Sequence, residues 1–210
     1  MYDELVHAIR DLRLSPGATI SETELSIQLG VSRTPLREAI ARLVTDGLVT
    51  VVPQVGTRVA PIRLEDVRQA QFVREHLELA AYALACKVTD RDTTRLRALL
   101  AEQVRAHAHH DTDAFFAADE SFHEQIFDLA GHGGAWRAMQ PVKLQLDRLR
   151  RSSLPNPATV AELIAEHTAI ADALDAGDSR RGSAVVRAHA RRVLKYAPVM
   201  RAAHPDLFED

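Results

Sequence analysis

The 210-residue sequence has a single cysteine, Cys86, so it cannot form an internal disulfide framework and fits a reducing compartment. It has no excess of basic charge: the formal net charge is −3, and any contact with nucleic acid has to come from a local patch. It has no apolar run long enough to span a bilayer. The opening stretch MYDELVHAIRDL has no basic segment followed by an apolar one, which argues against a secretory signal. Repeats, low-complexity tracts and long linkers are also missing. What is present is ordinary globular composition, 46% apolar and 26% charged, in a chain long enough for one large domain or two small ones. The expectation is a soluble, cytoplasmic protein with no membrane partner.

Residues 1–62 and 65–210 read differently. In the first part, Leu5, Ile9 and Leu12 mark a helix that stops at Ser15-Pro16-Gly17. Ser21-Glu22-Thr23-Glu24 has capping-box spacing and starts a second helix, with Leu25 and Leu29 inward and an end at Gly30. Ser32 is a plausible cap for a third helix, in which Leu36, Ala39, Ile40 and Leu43 recur at core-facing spacing. Two β-branched runs, 48–52 and 57–60, flank Pro53-Gln54-Val55-Gly56 and read as a hairpin. Three helices and a hairpin have the layout of a winged helix-turn-helix. From Leu64 onward the pattern is helical throughout, with breaks near 89–90, 110–111, 131–134, 155–157 and 177–178. Pro157 after Asn156 suits a first helical position, and Gly177-Asp178 a stop followed by a start. Pro141 lies inside a helical pattern, which it should kink or delay. The expected fold is mainly α: an N-terminal winged helix (1–62) and a C-terminal antiparallel helical bundle (65–210), joined near Pro61–Arg63.

A recognition helix needs an apolar face on its own domain and short polar or cationic side chains at its N-terminal end. Ser32, Arg33, Thr34 and Arg37 meet that need, off the Leu36/Ile40/Leu43 stripe. An arginine there can contact guanine or phosphate. The hairpin tip, Gln54 to Gly56, could lie along the minor groove or the backbone. The competing reading is a solvated protein-interaction helix, and residues 1–62, with six Lys/Arg against seven Asp/Glu, give it some support. The stretch SETELSIQLGVSRTPLREAIARLVTDGLVTVVPQVGTRVA resembles the winged-helix domain of the GntR family of bacterial repressors. The resemblance implies base or phosphate contacts for Ser32, Arg33, Thr34 and Arg37, with Gly56 at the wing tip. It departs at Thr23, where relatives often carry a DNA-contacting arginine.

Ten histidines invite scrutiny, and most have bland readings; His107, His109 and His110 sit near a helix end, where cations suit the dipole. Asp119 and His123, four apart, share one helix face. His167 and His189 flank the Gly177-Asp178 turn at similar distances, so an antiparallel pair holds them level. Together the four could form a nitrogen-rich pocket for zinc, nickel or another divalent transition metal; scattered histidines are the alternative. The segments VREHLEL (73–79), DESFHEQIFDLAG (119–131), EHTAI (166–170) and VRAHARR (186–192) resemble the FadR C-terminal (FCD) domain of one GntR branch. That resemblance implies a metal bound by Asp119, His123, His167 and His189, and a small organic or sugar acid as effector. Arg74 is a candidate second contact to the effector carboxylate, against the alternative of an exposed i,i+4 ion pair with Glu78. His132 stands where relatives often have asparagine.

The functional expectation is a regulator, in repressor form, whose homodimer reads a short inverted repeat of double-stranded DNA under effector control. Two rivals are a metal-dependent enzyme on a helical bundle and an architectural DNA binder without effector. Glu120-x-x-His123 is a single Glu-x-x-His unit without a second: Ile164 and Val186 stand three before His167 and His189.

Overall fold

The computed structural model describes residues 1–54 and 56–209. Helix α1 (Tyr2–Arg10) buries Leu5 and Ile9. Leu12, expected on the same stripe, lies beyond the helix with φ +59. The left-handed residue turns the chain back, so that the Leu14 N–H reaches the Ala8 carbonyl at 2.9 Å and caps the helix end. Strand β1 (Thr19–Ile20) precedes α2 (Glu22–Gln28), where the Ser21 hydroxyl accepts from the Glu24 N–H at 3.3 Å as the capping-box spacing requires. Helix α3 (Arg33–Thr45) buries Leu36, Ala39, Ile40 and Leu43, the expected stripe. Ser32 stands at its N-cap position without a side-chain capping bond.

Strands β2 (Val49–Val52) and β3 (Gly56–Val59) pair antiparallel with Val49 opposite Val59, and β1 adds to the other edge of β3. The two-residue β1 was not anticipated, because so short a run carries no periodicity. One apolar cluster joins α1, α3 and the sheet through Leu5, Ile9, Ile20, Leu36, Leu43, Leu48 and Val59. Val55, within the expected turn, is outside the described residues.

Seven helices follow: α4 (Leu64–Ala85), α5 (Thr94–Ala108), α6 (Thr112–Leu129), α7 (Gly133–Met139), α8 (Leu144–Ser153), α9 (Pro157–Asp175) and α10 (Ser179–Ala203). The Asn156 side chain caps α9 with Pro157 in the first turn, and Asp178 caps α10 after a left-handed Gly177. Pro141 falls in the turn between α7 and α8 rather than inside a helix, so the continuous pattern across it is two helices. Pro198, by contrast, is carried inside α10. The bundle core is built from Tyr82, Leu96, Phe122, Phe127, Trp136, Ile170 and Leu174. Tyr82 crosses α10 at Gly182, where an added Cβ would lie 1.8 Å from the phenol oxygen, and donates to the Ile170 carbonyl at 3.1 Å. No helix is long and apolar enough to cross a membrane among the described residues.

The junction between the two halves is short and fastened. The Ile62 N–H donates to the Leu207 carbonyl at 2.8 Å and the Glu209 N–H to the Ile62 carbonyl at 3.1 Å. From α8, the fully buried Arg148 donates to the Ala60 carbonyl at 2.5 Å and to Gln145 Oε1 at 2.8 Å. Burial without a carboxylate partner pulls its pKa down to about 10.

Candidate metal centre and DNA-facing surface

Three helices bring the expected donor set together. Asp119 and His123 project from α6, His167 from α9 and His189 from α10, and all four are buried. One ligating nitrogen from each histidine lies within 4.8 Å of the others. His123 Nε2 and His189 Nε2 are 3.2 Å apart, and Asp119 Oδ1 is 3.7 Å from His167 Nε2.

The opposite side of each ring is held by the protein. His167 Nδ1 lies 2.7 Å from Gln103 Oε1 on α5, His189 Nδ1 lies 2.9 Å from Glu166 Oε2 on α9, and His123 Nδ1 lies 3.4 Å from Glu78 Oε2 on α4. An Nδ1–H turned toward an oxygen acceptor leaves the lone pair on Nε2, the arrangement that orients metal-bound imidazoles. Burial, with help from the neighbouring imidazoles, pushes His167 well below the ordinary histidine range. Burial likewise lowers His189 to about 4, against the opposing pull of its bond to Glu166. Both are therefore neutral near pH 7, the form in which an imidazole can accept a metal.

Burial alone would raise the Asp119 carboxyl, but Arg150 and the nearby imidazoles outweigh it and keep the group ionised. Arg150 of α8 pairs with Asp119 Oδ2, and also reaches Glu120 at 2.7 Å and Asp147 at 2.8 Å. Asp119 Oδ1 and His167 Nε2 are left buried without a hydrogen-bond partner. Two orphaned acceptors in a buried site call for a cation. The donor set thus fits a divalent transition metal.

Arg74 occupies the same space. Its Nη2 lies 3.0 Å from His123 Nε2 and 3.3 Å from His189 Nε2, while its Nε donates to Glu78 Oε1 at 2.6 Å. The ion pair with Glu78 therefore exists, but the expectation that it is exposed is overturned: both side chains are at most 5% accessible. The helix face that carries it turns into the bundle because α6 and α10 pack against α4. Beside these groups lies a small cleft lined by residues of α6, α8, α9 and α10, with Arg74, Asp119 and His189 among its walls.

The groups expected to read DNA lie on the surface. Ser32, Arg33, Thr34 and Arg37 are exposed at the start of α3. Arg37 pairs with Glu22 at 2.8 Å, and Arg33 donates to the Thr23 hydroxyl at 3.3 Å. Thr23, where an arginine was expected from the resemblance, thus holds one of the candidate DNA-contacting arginines. Gly56 opens β3 with φ +112, a conformation that favours glycine.

Residues 1–59 match the family described as "Bacterial regulatory proteins, gntR family", and residues 69–192 match the FCD domain. The chain belongs to the GntR family. Over 209 residues this GntR protein is 37% identical to an HTH-type transcriptional regulator in an unstable DNA locus of Streptomyces ambofaciens, covering 99% of this chain and 88% of that one. It is 31% identical over 211 residues to the HTH-type transcriptional repressor RspR of Escherichia coli K12, covering 99% and 90%. The solved structure of E. coli McbR/YncC is similar with a TM-score of 0.77 at 25% identity, covering 94% of this chain and 95% of that one. A GntR structure from Rhodococcus sp. RHA1 has the same fold at TM-score 0.76 and 23% identity, covering 92% and 95%. The chain is accordingly a transcriptional regulator with a mainly helical fold, and not an enzyme.

Several working parts of the GntR regulator's site escaped the sequence reading. Glu78 was weighed only as a surface partner of Arg74, and Gln103, Glu166 and Arg150 were not singled out at all. Glu166 precedes His167 directly yet serves His189, a relation that exists only once α9 and α10 are packed.

Proposed function

We propose that this GntR regulator is a homodimeric repressor, dividing labour between a DNA-binding unit (1–62) and a sensing unit (65–210). Its affinity for a short inverted repeat is set by a small organic acid bound beside a metal. The carrying observation is the convergence of Asp119 with three histidine Nε2 atoms, two of the donor atoms orphaned, at the end of a cleft. Asp119, His123, His167 and His189 would hold the ion, with zinc or nickel suited to such donors. When bound, a divalent ion there supplies a Lewis-acidic seat for a carboxylate oxygen. Arg74, whose Nη2 already sits among the imidazoles, is placed to take the second oxygen. On the DNA side, Ser32, Arg33, Thr34 and Arg37 would meet base edges and phosphates, and Gly56 would bring the wing close to the backbone.

Helix α8 ties the two halves together. Arg150 holds the proposed ligand Asp119, while the next residue, Arg151, pairs with Asp11 beyond α1 at 2.9 Å. Leu144, at the start of α8, packs against the winged-helix core, and Leu149, Arg150 and Ser153 line the cleft. A ligand that shifts α8 therefore has a direct mechanical route to the recognition helices. Coupling of this kind is typically about 1–3 kcal/mol, roughly 5–150-fold in affinity.

Loading the protein with zinc or nickel and following operator affinity while screening small carboxylates tests the proposal. A carboxylate-dependent change supports a sensor, and its absence would favour a passive architectural binder. The double variant His167→Ala/His189→Ala should lose bound metal; retained stoichiometric metal refutes the assignment.

A further inference from the structure

The cleft next to the proposed metal seat has a chemistry that narrows its ligand, and this deepening rests on the reading of the site given above. Helices α9 and α10 run antiparallel through the Gly177-Asp178 turn, so moving four residues back from His167 and four forward from His189 goes the same way along the bundle. Those steps arrive at Leu163 and Val193. Four residues back from Asp119 on α6 is Phe115. All three line the cleft, together with Leu149 of α8. One helical turn, about 5.4 Å, thus separates a layer of charged and nitrogenous groups from an apolar collar. Phe115 and Leu149 are each 1% exposed and Val193 is 8% exposed. Phe116 and Leu154 extend the apolar lining.

Most of the polar side chains around that collar are engaged within the fold, the buried Thr159 hydroxyl being the exception. Arg192 pairs with Glu162 and Glu166, and the Tyr196 hydroxyl donates to Glu162 at 3.0 Å. Ser153 donates to the Arg150 carbonyl at 2.7 Å, and Arg150 is taken up by Asp119, Glu120 and Asp147. A ligand whose carboxylate sits at the Arg74 end has its next several carbons inside the collar. Several hydroxyl groups on those carbons would lose water and find at most the single Thr159 hydroxyl as a partner.

We infer that the effector is a monocarboxylic acid with an apolar aliphatic or aromatic body, and that Phe115, Leu149, Leu163 and Val193 are the residues that reject polyhydroxylated sugar acids. This narrows the broader expectation of an organic or sugar acid.

Isothermal titration of the zinc-loaded full chain with hexanoate, benzoate and gluconate tests the inference. Hexanoate or benzoate should bind at least tenfold more tightly than gluconate. Val193→Thr, which keeps the side-chain shape, and Leu163→Asn should each shrink that ratio, with circular dichroism and zinc content checking that the fold and the metal seat persist. Gluconate bound as tightly as the apolar acids, or a ratio unmoved in both variants, would overturn the collar while leaving a metal-seated carboxylate intact. The same preference kept after zinc is stripped with a chelator would overturn the metal seat and leave the collar standing. Binding of none of the three acids would overturn both.

Discussion

Of the three acceptors that hold the imidazoles, Glu78 and Glu166 are carboxylates, and Gln103 is a neutral amide serving the most deeply buried ring, His167. Gln103→Leu removes the acceptor 2.7 Å from His167 Nδ1 at little change in volume. Gln103 is itself fully buried, so water cannot take the amide's place without opening the core. The orphaned Nδ1–H should cost the metal-free protein about 1–3 kcal/mol of stability. With its anchor gone, His167 can also rotate or change tautomer, so zinc affinity should fall about 10–100-fold, the usual effect of deleting such a support. Competition against a chromophoric chelator reads the affinity, and thermal unfolding of chelator-treated protein reads the stability. Gln103→Glu, which restores an acceptor, should recover most of the lost zinc affinity. Unchanged zinc affinity in Gln103→Leu, with the fold intact, would mean that His167 is not a ligand or that its orientation is set elsewhere.

Arg33→Ala and Arg37→Ala alter exposed side chains and should leave the melting temperature nearly unchanged. Specific operator affinity should fall at least tenfold, measured by fluorescence anisotropy, with a shallower salt dependence wherever a phosphate contact is lost. In metal-free protein, His189 is neutral when folded down to about pH 4 but takes a proton when unfolded below about 6.5. Stability should therefore be constant above that value and decline as pH falls from about 6.5 to about 4, by about 3 kcal/mol from this group. Bound zinc should deepen the decline, because protonated imidazole cannot ligate; a flat urea-unfolding midpoint across this window would refute the burial argument. Asp11→Asn, at the contact with Arg151, should leave zinc affinity unchanged and reduce the effect of bound carboxylate on operator affinity, seen by comparing operator binding with and without the acid.

The helices were legible wherever an apolar stripe or a cap was local. Leu36, Ala39, Ile40 and Leu43 recur on one face of α3, and Asn156-Pro157 and Gly177-Asp178 announce two helix starts by chemistry confined to a few residues. The convergence of the candidate donors was only partly legible: Asp119 and His123 share a face by spacing and one tight turn sets His167 and His189 level, but it was the FCD resemblance that singled these four out from scattered histidines. The supports were not legible, because Gln103 and Glu166 act on rings that sequence distance does not connect to them. Arg74 shows the same limit. Its spacing to Glu78 was plain, but whether that pair faces water or the bundle depends on α6 and α10. Leu12 misled for the opposite reason, since helical periodicity ran on past the residue where the backbone turns, whereas Pro141 delays the start of α8 as expected.

The pairing of Ile62 with Leu207 and Glu209 bears on how the molecule is made. The winged helix draws most of its core from its own first sixty residues and can gain structure soon after it leaves the ribosome. The backbone of Ile62 has these two partners only once synthesis has passed residue 209. On a nascent chain the hinge is therefore fastened in two stages, first by α8 through Arg148 and Arg151 and later by the segment around residues 207–209.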